Sequence, residues 1–379
     1  MRKGGIRMLK QELETRIAKL KAKMEVKGYD AYVVSSQEDI WYYTNITYSP
    51  EERPFFIVIS LDSKPTLVVP KLEEAHVQKG ILDTDIVSYW DYPSPVGENW
   101  FERLRDVLQK FQHIGVEANI PAEHYVRIQG SHVELCHFVA AERQIKSDYE
   151  LERIRFCANI ADRTMLDIFK KASRETMVLE MSALAQIPQV ELIKTKQLDP
   201  LNTNLLAVVW PAPESAMPHG VPDIYKKVGD GPNVAMTYYR INGYASECER
   251  TFFLGNPTKE ETELFQHMMN ARKAALSVLK PGVNAKEVDL AARNYLAQYG
   301  LIGNLLHRTG HGIGLSNHEA PFVAEGSDEV LTENMVISIE PGIYVEGVGG
   351  FRHSDTVLIT KDGYELLTRA PIELDELIF

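Results

Sequence analysis

Carboxylates and histidines gather in four stretches of this chain, and each stretch suggests a chemistry. In MTYYRINGYASECERTFF, residues 236–253, two strand-like runs flank a Gly-Tyr turn. Side chains two apart on a strand share a face, so Ala245, Glu247, Glu249 and Thr251 point one way and Ser246, Cys248 and Arg250 the other. Two like charges this close raise each other's pKa unless a cation holds them. That cation could be a metal, an arginine or a positively charged substrate. Taken alone, the stretch reads most simply as an edge strand with a solvated acidic face. HRTGHGIGLSNHEAPF, residues 307–322, holds His307, His311 and His318 among Gly310, Gly312 and Gly314. Glycines let backbone approach a ligand closely, and histidines this dense in a Gly-rich segment point to a site. In SIEPGIY, Glu340 follows the apolar run 335–339. A carboxylate at the end of a buried strand needs a partner, and the plain reading is a salt bridge to Arg352. In AMPHG, His219 reads equally as a loop histidine or a general base.

Elements that could position these residues follow from periodicity. Leu13, Ile17, Leu20 and Met24 have helical spacing, with Gly28 as a stop. DAYVVSS, FFIVIS, TLVVP, DIVSYW and HIGVEA read as strands, FFIVISLDSKPTLVVP as a hairpin, and residues 98–111 as a helix. Ser147 and Glu150 have capping-box spacing at the head of a long amphipathic helix. Further helices are predicted over 260–279 and 285–299. The chain therefore divides into residues 1–145, an α/β domain, and 146–379, a sheet carrying helices with hairpins instead of regular βαβ alternation. A length of 379 residues agrees with two domains.

Composition narrows the function classes. The net charge of −12, from 41 basic and 53 acidic residues, argues against general nucleic-acid binding. Three cysteines without a metal-binding spacing argue against a disulfide framework and point to a reducing, cytoplasmic setting. The basic start lacks an apolar core, and no run of 18 apolar residues suggests a membrane span.

GYASECERTFF, HRTGHGIGLSNHEAPF, MVISIEPGIY, GGFRHSDTVLIT and MPHG resemble the motifs of the pita-bread family in order and spacing. That family includes Xaa-Pro aminopeptidases, prolidases, methionine aminopeptidases and creatinase. NITYSPEERPFFIVI and RQIKSDYELERIR are similar to its amino-terminal domain and linker. The resemblance implies an α+β fold: a pita-bread C-terminal domain preceded by a smaller α/β creatinase-type domain. It also implies a homodimer. Peptidases of this family hold two metals with five ligands. By resemblance the first ligand position falls on Met236 and the second, eleven residues on, on Glu247. The others fall on His311, Glu340 and Ser354. Met236 and Ser354 are poor ligands for hard cations, which leaves Glu247, His311 and Glu340 for a single ion.

Three functional readings follow, and the ERT of SECERT, which resembles creatinase, places one first. It is a hydrolase without a metal, cleaving a C–N bond of a small guanidino, amidine or amide compound. His219 would be the base, Glu249 and Glu340 would clamp the cationic group, and His311 or His318 would stabilise developing charge. Arg53 would meet a substrate carboxylate, with Glu247, His307 and Arg352 completing the binding set. The family's other carboxylate-binding arginine falls near Phe322. The second reading is an Xaa-Pro dipeptidase or aminopeptidase with one Mn, Zn or Co ion, supported by the intact HRTGHGIGLSNHEAP. A non-catalytic binding module stands third. The expected partner is thus a small molecule or a dipeptide, with neither nucleic acid nor membrane.

Overall fold

The computed structural model describes residues 3–128 and 132–379 and forms two compact units, Met1–Arg143 and Gln144–Phe379. The first is built on a six-stranded mixed sheet, in the order Asp85–Tyr89, Thr66–Pro70, Phe56–Ser60, Ala31–Val34, His113–Glu117 and His132–Cys136. The hairpin expected from FFIVISLDSKPTLVVP is present, with Phe56 opposite Val68. Ala31–Val34 is buried along its whole length, which suits an apolar run sandwiched inside a sheet. Sequence periodicity did not single out the helix Gln37–Thr44, whose start is capped by the Ser36 side chain accepting from the Asp39 amide.

The second unit carries an eight-stranded sheet. Its path runs Glu319–Val323, Gly310–Gly312, Val336–Ile339, Ser354–Thr360, Tyr244–Phe252, Asn233–Ile241 and Asn204–Trp210, and Gly363–Leu366 pairs with Ser354–Thr360. Gly342–Val345 and Gly349–Arg352 form a separate hairpin. The helix Asp148–Lys171 begins with the expected capping box, both of its hydrogen bonds formed by Ser147 and Glu150. Lys259–Ser277 and Ala285–Gln298 match the other two predicted helices within a residue or two. These helices bury Met165, Ile168, Phe265, Met268, Val288 and Leu296 against the sheet residues Ala235, Tyr239, Cys248, Phe252, Ile337 and Val357. Among the described residues, no helix is long and apolar enough to cross a membrane.

The strand Tyr244–Phe252 is central, not an edge, and every residue in it is buried. The solvated-edge reading of its acidic residues is therefore wrong. In the hairpin register Met236 lies opposite Glu249, and Tyr238 opposite Glu247. These four side chains share the face away from the helices, because Ala235, Tyr239 and Cys248 alternate with them and join the core.

The helix-side face also carries Arg250, fully buried. Its Nη2 donates to Asp355 Oδ1 at 2.7 Å, and the opposite oxygen of Asp355 meets Arg272 from Lys259–Ser277. Thr368 Oγ1 donates to the same carboxylate at 2.8 Å. Arg250 also donates to the carbonyls of Glu249, Ser354 and Pro371 at 2.7, 2.9 and 2.8 Å. This knot ties two central strands, a helix and the C-terminal segment together. Burial pushes the Asp355 carboxyl up, but the two guanidiniums outweigh it and hold it below the ordinary value. The folded chain thus takes up this proton less readily than the unfolded chain. The stabilisation is complete at neutral pH and is lost as pH falls below about 4. Asp355→Ala strands two buried cations and should lower the unfolding free energy by about 3–5 kcal/mol in urea denaturation at pH 7. A loss under about 1 kcal/mol, the range of exposed pairs, would contradict this account.

Candidate functional site

A cavity of about 740 Å³ opens on the second unit's sheet, on the face away from the helices. Its polar lining is Glu247, Glu249, Glu340, Arg352, His219, His307, Arg308 and His318. Leu206, Trp210, Pro218, Met236, Tyr238 and Ala324 form its apolar part. His311 lies directly behind, 1% exposed. The four sequence stretches singled out for chemistry thus converge here. Arg53 belongs to the first unit, where its Nε donates to Asp91 at 3.1 Å and Glu52 lies 3.1 Å away.

Local backbone explains how His311 is held. A Cβ on Gly310 would lie 2.0 Å from the Ser338 carbonyl oxygen, and one on Gly312 would lie 2.2 Å from that of Ala320. Only glycine lets the flanking strands close on this short strand. The His311 amide donates to Ser338 Oγ at 3.0 Å, and that hydroxyl donates to Glu340 at 3.3 Å. His311 Nδ1 lies 3.2 Å from the Gly312 carbonyl oxygen. A carbonyl can only accept, so Nδ1 carries the hydrogen and Nε2 is left for other work. Nε2 sits 3.1 Å from Glu340 Oε1 and 3.6 Å from Glu247 Oε1. It is buried and makes no well-formed hydrogen bond. The His318 ring stacks on His311 with centroids 3.8 Å apart.

Charge in this site is closely balanced. Burial works against a charged His311, but Glu247 and Glu340 outweigh it and raise the ring to about 9. Burial would raise Glu340, yet His311 beside it holds the carboxyl near 2. Burial drives Glu247 upward, with the His311 charge pulling against it. Burial and the neighbouring His311 lower His318 to about 4, so its ring is neutral.

Glu249 is held by the protein itself. Arg352 Nη2 donates to its Oε1 at 2.7 Å, and Nε lies 2.5 Å from Oε2. The cation that Glu249 was expected to clamp is thus Arg352, and the expected Glu340–Arg352 bridge gives way to this pair. Arg352 Nη1 donates to the Tyr344 hydroxyl at 3.0 Å, and that hydroxyl donates to His307 Nε2 at 2.7 Å. His307 Nδ1 donates to the Arg308 carbonyl at 2.7 Å. Because guanidinium only donates and carbonyl only accepts, every direction in this relay is fixed. Both ring nitrogens of His307 are therefore engaged within the protein, while its ring lines the cavity. Ser354 Oγ donates to Glu247 Oε1 at 2.8 Å and orients that carboxylate. Phe322, near which the family's other carboxylate-binding arginine falls by resemblance, lies under the guanidinium of Arg308, 4.8 Å from the ring centroid.

Glu247, His311 and His318 each offer a ligand atom, all within 4.8 Å of one another. One ion fits this set: two neutral-capable imidazoles and a carboxylate, with a buried, hydrogen-bond-free Nε2 at the centre. A second ion does not fit. The thioether of Met236 and the hydroxyl of Ser354 stand where its ligands would be, and Arg352 occupies Glu249. Sequence reasoning named His318 for stabilising developing charge and did not count it among the candidate ligands. It also missed Arg308, Tyr344 and the aromatic lining from Trp210 and Tyr238.

Residues 152–361 match the metallopeptidase family M24, and residues 16–157 match the creatinase/prolidase N-terminal domain. The chain is 32% identical to a Xaa-Pro dipeptidase of Lactobacillus delbrueckii subsp. lactis over 369 residues, covering 94% of this chain and 97% of the relative. It superimposes on the prolidase from Pyrococcus horikoshii OT3 with a TM-score of 0.80 at 27% identity, covering 95% of this chain and 99% of that one. The dipeptidase PepE from Mycobacterium ulcerans gives a TM-score of 0.84 at 25% identity, covering 97% and 98%. The expectation of a site without a metal is overturned by the metallopeptidase match together with the ligand cluster. The error came from counting ligands only at motif positions, which left His318 out. With its pita-bread α+β architecture, its creatinase-type amino-terminal domain and a similarity running the length of the chain, this protein belongs to metallopeptidase family M24.

Proposed function

We propose that this protein hydrolyses Xaa-Pro dipeptides with the help of one divalent metal, Mn, Zn or Co. The observation that carries the reading is His311. Its Nδ1 is tied to a carbonyl, while its Nε2 is buried, without a hydrogen bond, and flanked by Glu247, Glu340 and His318. Glu247, His311 and His318 would hold the ion. Bound there, a divalent metal acts as a Lewis acid toward the scissile carbonyl and lowers the pKa of water.

The chain's own residues supply the rest. Glu340 lines the cavity beside this group and takes the proton of the attacking water. His219 reaches the cavity from the loop after Asn204–Trp210 and donates a proton to the departing prolyl nitrogen. The apolar lining from Trp210, Met236 and Tyr238 accepts the pyrrolidine ring and excludes water around the bond. The Arg352–Glu249 pair, braced by Tyr344 and His307, holds the floor rigid. Its closure weighs against a guanidino substrate, because the seat for a substrate guanidinium is already filled by Arg352.

Protein purified without chelator should contain about one metal per chain by elemental mass spectrometry. His318→Ala should lose that metal and the Xaa-Pro dipeptidase activity while keeping its circular dichroism spectrum. Metal retained at full stoichiometry in the variant would remove His318 from the ligand set. His219→Ala should keep the metal but lower kcat by roughly 100- to 10,000-fold, the range for a positioned proton donor. Turnover equal to that of the parent would exclude this role. Met236→Asp combined with Ser354→Glu should raise metal content toward two per chain, since it returns hard oxygen ligands to both weak positions. A stoichiometry unchanged at one would show that the pair does not limit the site.

A further inference from the structure

The two weak ligand positions are neighbours of the same residue. Across the sheet Met236 pairs with Glu249 on one side, and Ser354 pairs with Glu249 on the other. Cross-strand partners share a face, so Met236, Glu249 and Ser354 form one row over three adjacent strands. The outer places of this row hold a thioether and a hydroxyl, and its centre holds a carboxylate that is 3% exposed. A carboxylate so deeply buried requires a cation. Arg352 supplies it, with Nη2 donating to Oε1 at 2.7 Å and Nε 2.5 Å from Oε2. Both oxygens of Glu249 therefore face one guanidinium. That guanidinium is itself buried and is aimed by the Tyr344 hydroxyl and the Pro218 carbonyl, which accept from Nη1 at 3.0 and 3.2 Å. It lines the cavity together with Glu247, Glu249 and Glu340. An arginine keeps its charge at every pH a folded protein survives, and no chelator removes it.

We infer that Arg352 is a resident cation standing where a second divalent ion would otherwise gather, and that Glu249 is the carboxylate that seats it. The positive charge this row demands is thus built into the chain. A single exchangeable ion, at Glu247, His311 and His318, is left to be taken from solution. The inference rests on the one-ion reading above and adds what keeps a second ion out. It also defines a latent site. With the guanidinium gone, Glu249 and Glu340 would face the cavity as hard oxygen ligands lacking a counter-charge, and a divalent ion is the readiest source of one.

The test uses the full chain, stripped with chelator and titrated with Mn²⁺ alone. Bound ions are counted by elemental mass spectrometry after desalting, affinities by calorimetry, and unfolding by circular dichroism. Arg352→Met should bind one Mn²⁺ more than the parent. Without Mn²⁺ its unfolding temperature should fall by roughly 6 to 20 °C, the effect of a buried charge left alone. Saturating Mn²⁺ should return most of that loss. Arg352→Met combined with Glu249→Gln removes both charges. It should keep the parent's ion count and recover much of the stability with no metal present. An Arg352→Met chain that folds but gains no ion, or whose unfolding temperature responds to Mn²⁺ no more than the parent's, would overturn the inference and leave Arg352 a structural arginine. Glu249→Gln alone covers the case in which Arg352→Met does not fold. It leaves the guanidinium uncompensated beside the ligand group, so Mn²⁺ should bind about tenfold more weakly, or worse. An affinity equal to the parent's would show that the guanidinium charge is not felt where the ion sits, and would equally overturn the inference. Two ions on the parent would do the same. A parent that binds none, with one gained in Arg352→Met, would instead sink the one-ion reading and leave the resident cation standing.

Discussion

Glu247, Glu249 and Glu340 share one face of one sheet, and the first two are each 3% exposed. Burying three carboxylates together demands compensating positive charge, because uncompensated ions are far more costly in a protein interior than in water. Arg352 answers for one of them. His311 answers for the other two, either with a proton or with a metal at its Nε2. Much of the organisation around the cavity serves this demand. Tyr344 and His307 keep Arg352 in its plane, Ser354 keeps Glu247 in its rotamer, and Ser338 links the His311 amide to Glu340. The same reasoning explains why a metal suits this protein despite the loss of two ligand positions: the charge requirement survives the loss.

The opposite face of the same strands repeats the principle in a purely structural form. Arg250 and Asp355 are the immediate neighbours of Glu249 and Ser354, pointing to the helix side. Their ion pair with Arg272 is completed by carbonyl oxygens and Thr368. The Nε and both Nη atoms of Arg250 are engaged, and strand geometry carries that anchoring to the residues one position away. The cavity face is therefore held from behind by groups that do not line the cavity.

Much of this was legible in the sequence because the signals were local. The capping box at Ser147, the apolar spacing of 148–171 and the alternation through Glu247 and Glu249 each need only a short window. Five motifs in order carried the fold. Pairings between distant segments were not legible. Glu249 and Arg352 lie 103 positions apart, and no spacing rule says which carboxylate an arginine will choose. His318 lies seven residues beyond His311 across irregular backbone, where neither the helical nor the strand period applies. A turn brings the two rings together, and turns of that kind leave no periodic trace. Arg308 sits in irregular backbone, where a side chain's direction cannot be deduced from its neighbours. The reading without a metal failed for this reason: it weighed positions along the chain, while the candidate ligand group is assembled from neighbours in space.

The glycines around His311 carry one more consequence. Gly310 and Gly312 admit no side chain, since the carbonyl oxygens of adjoining strands already occupy that volume. The histidine between them is thus an immovable reference point, insensitive to drift in its own flanks. Met236, Glu247, His318 and Ser354 sit on other segments and can each be exchanged without disturbing it. One imidazole is fixed by backbone packing, while the groups around it are held only through their own side chains.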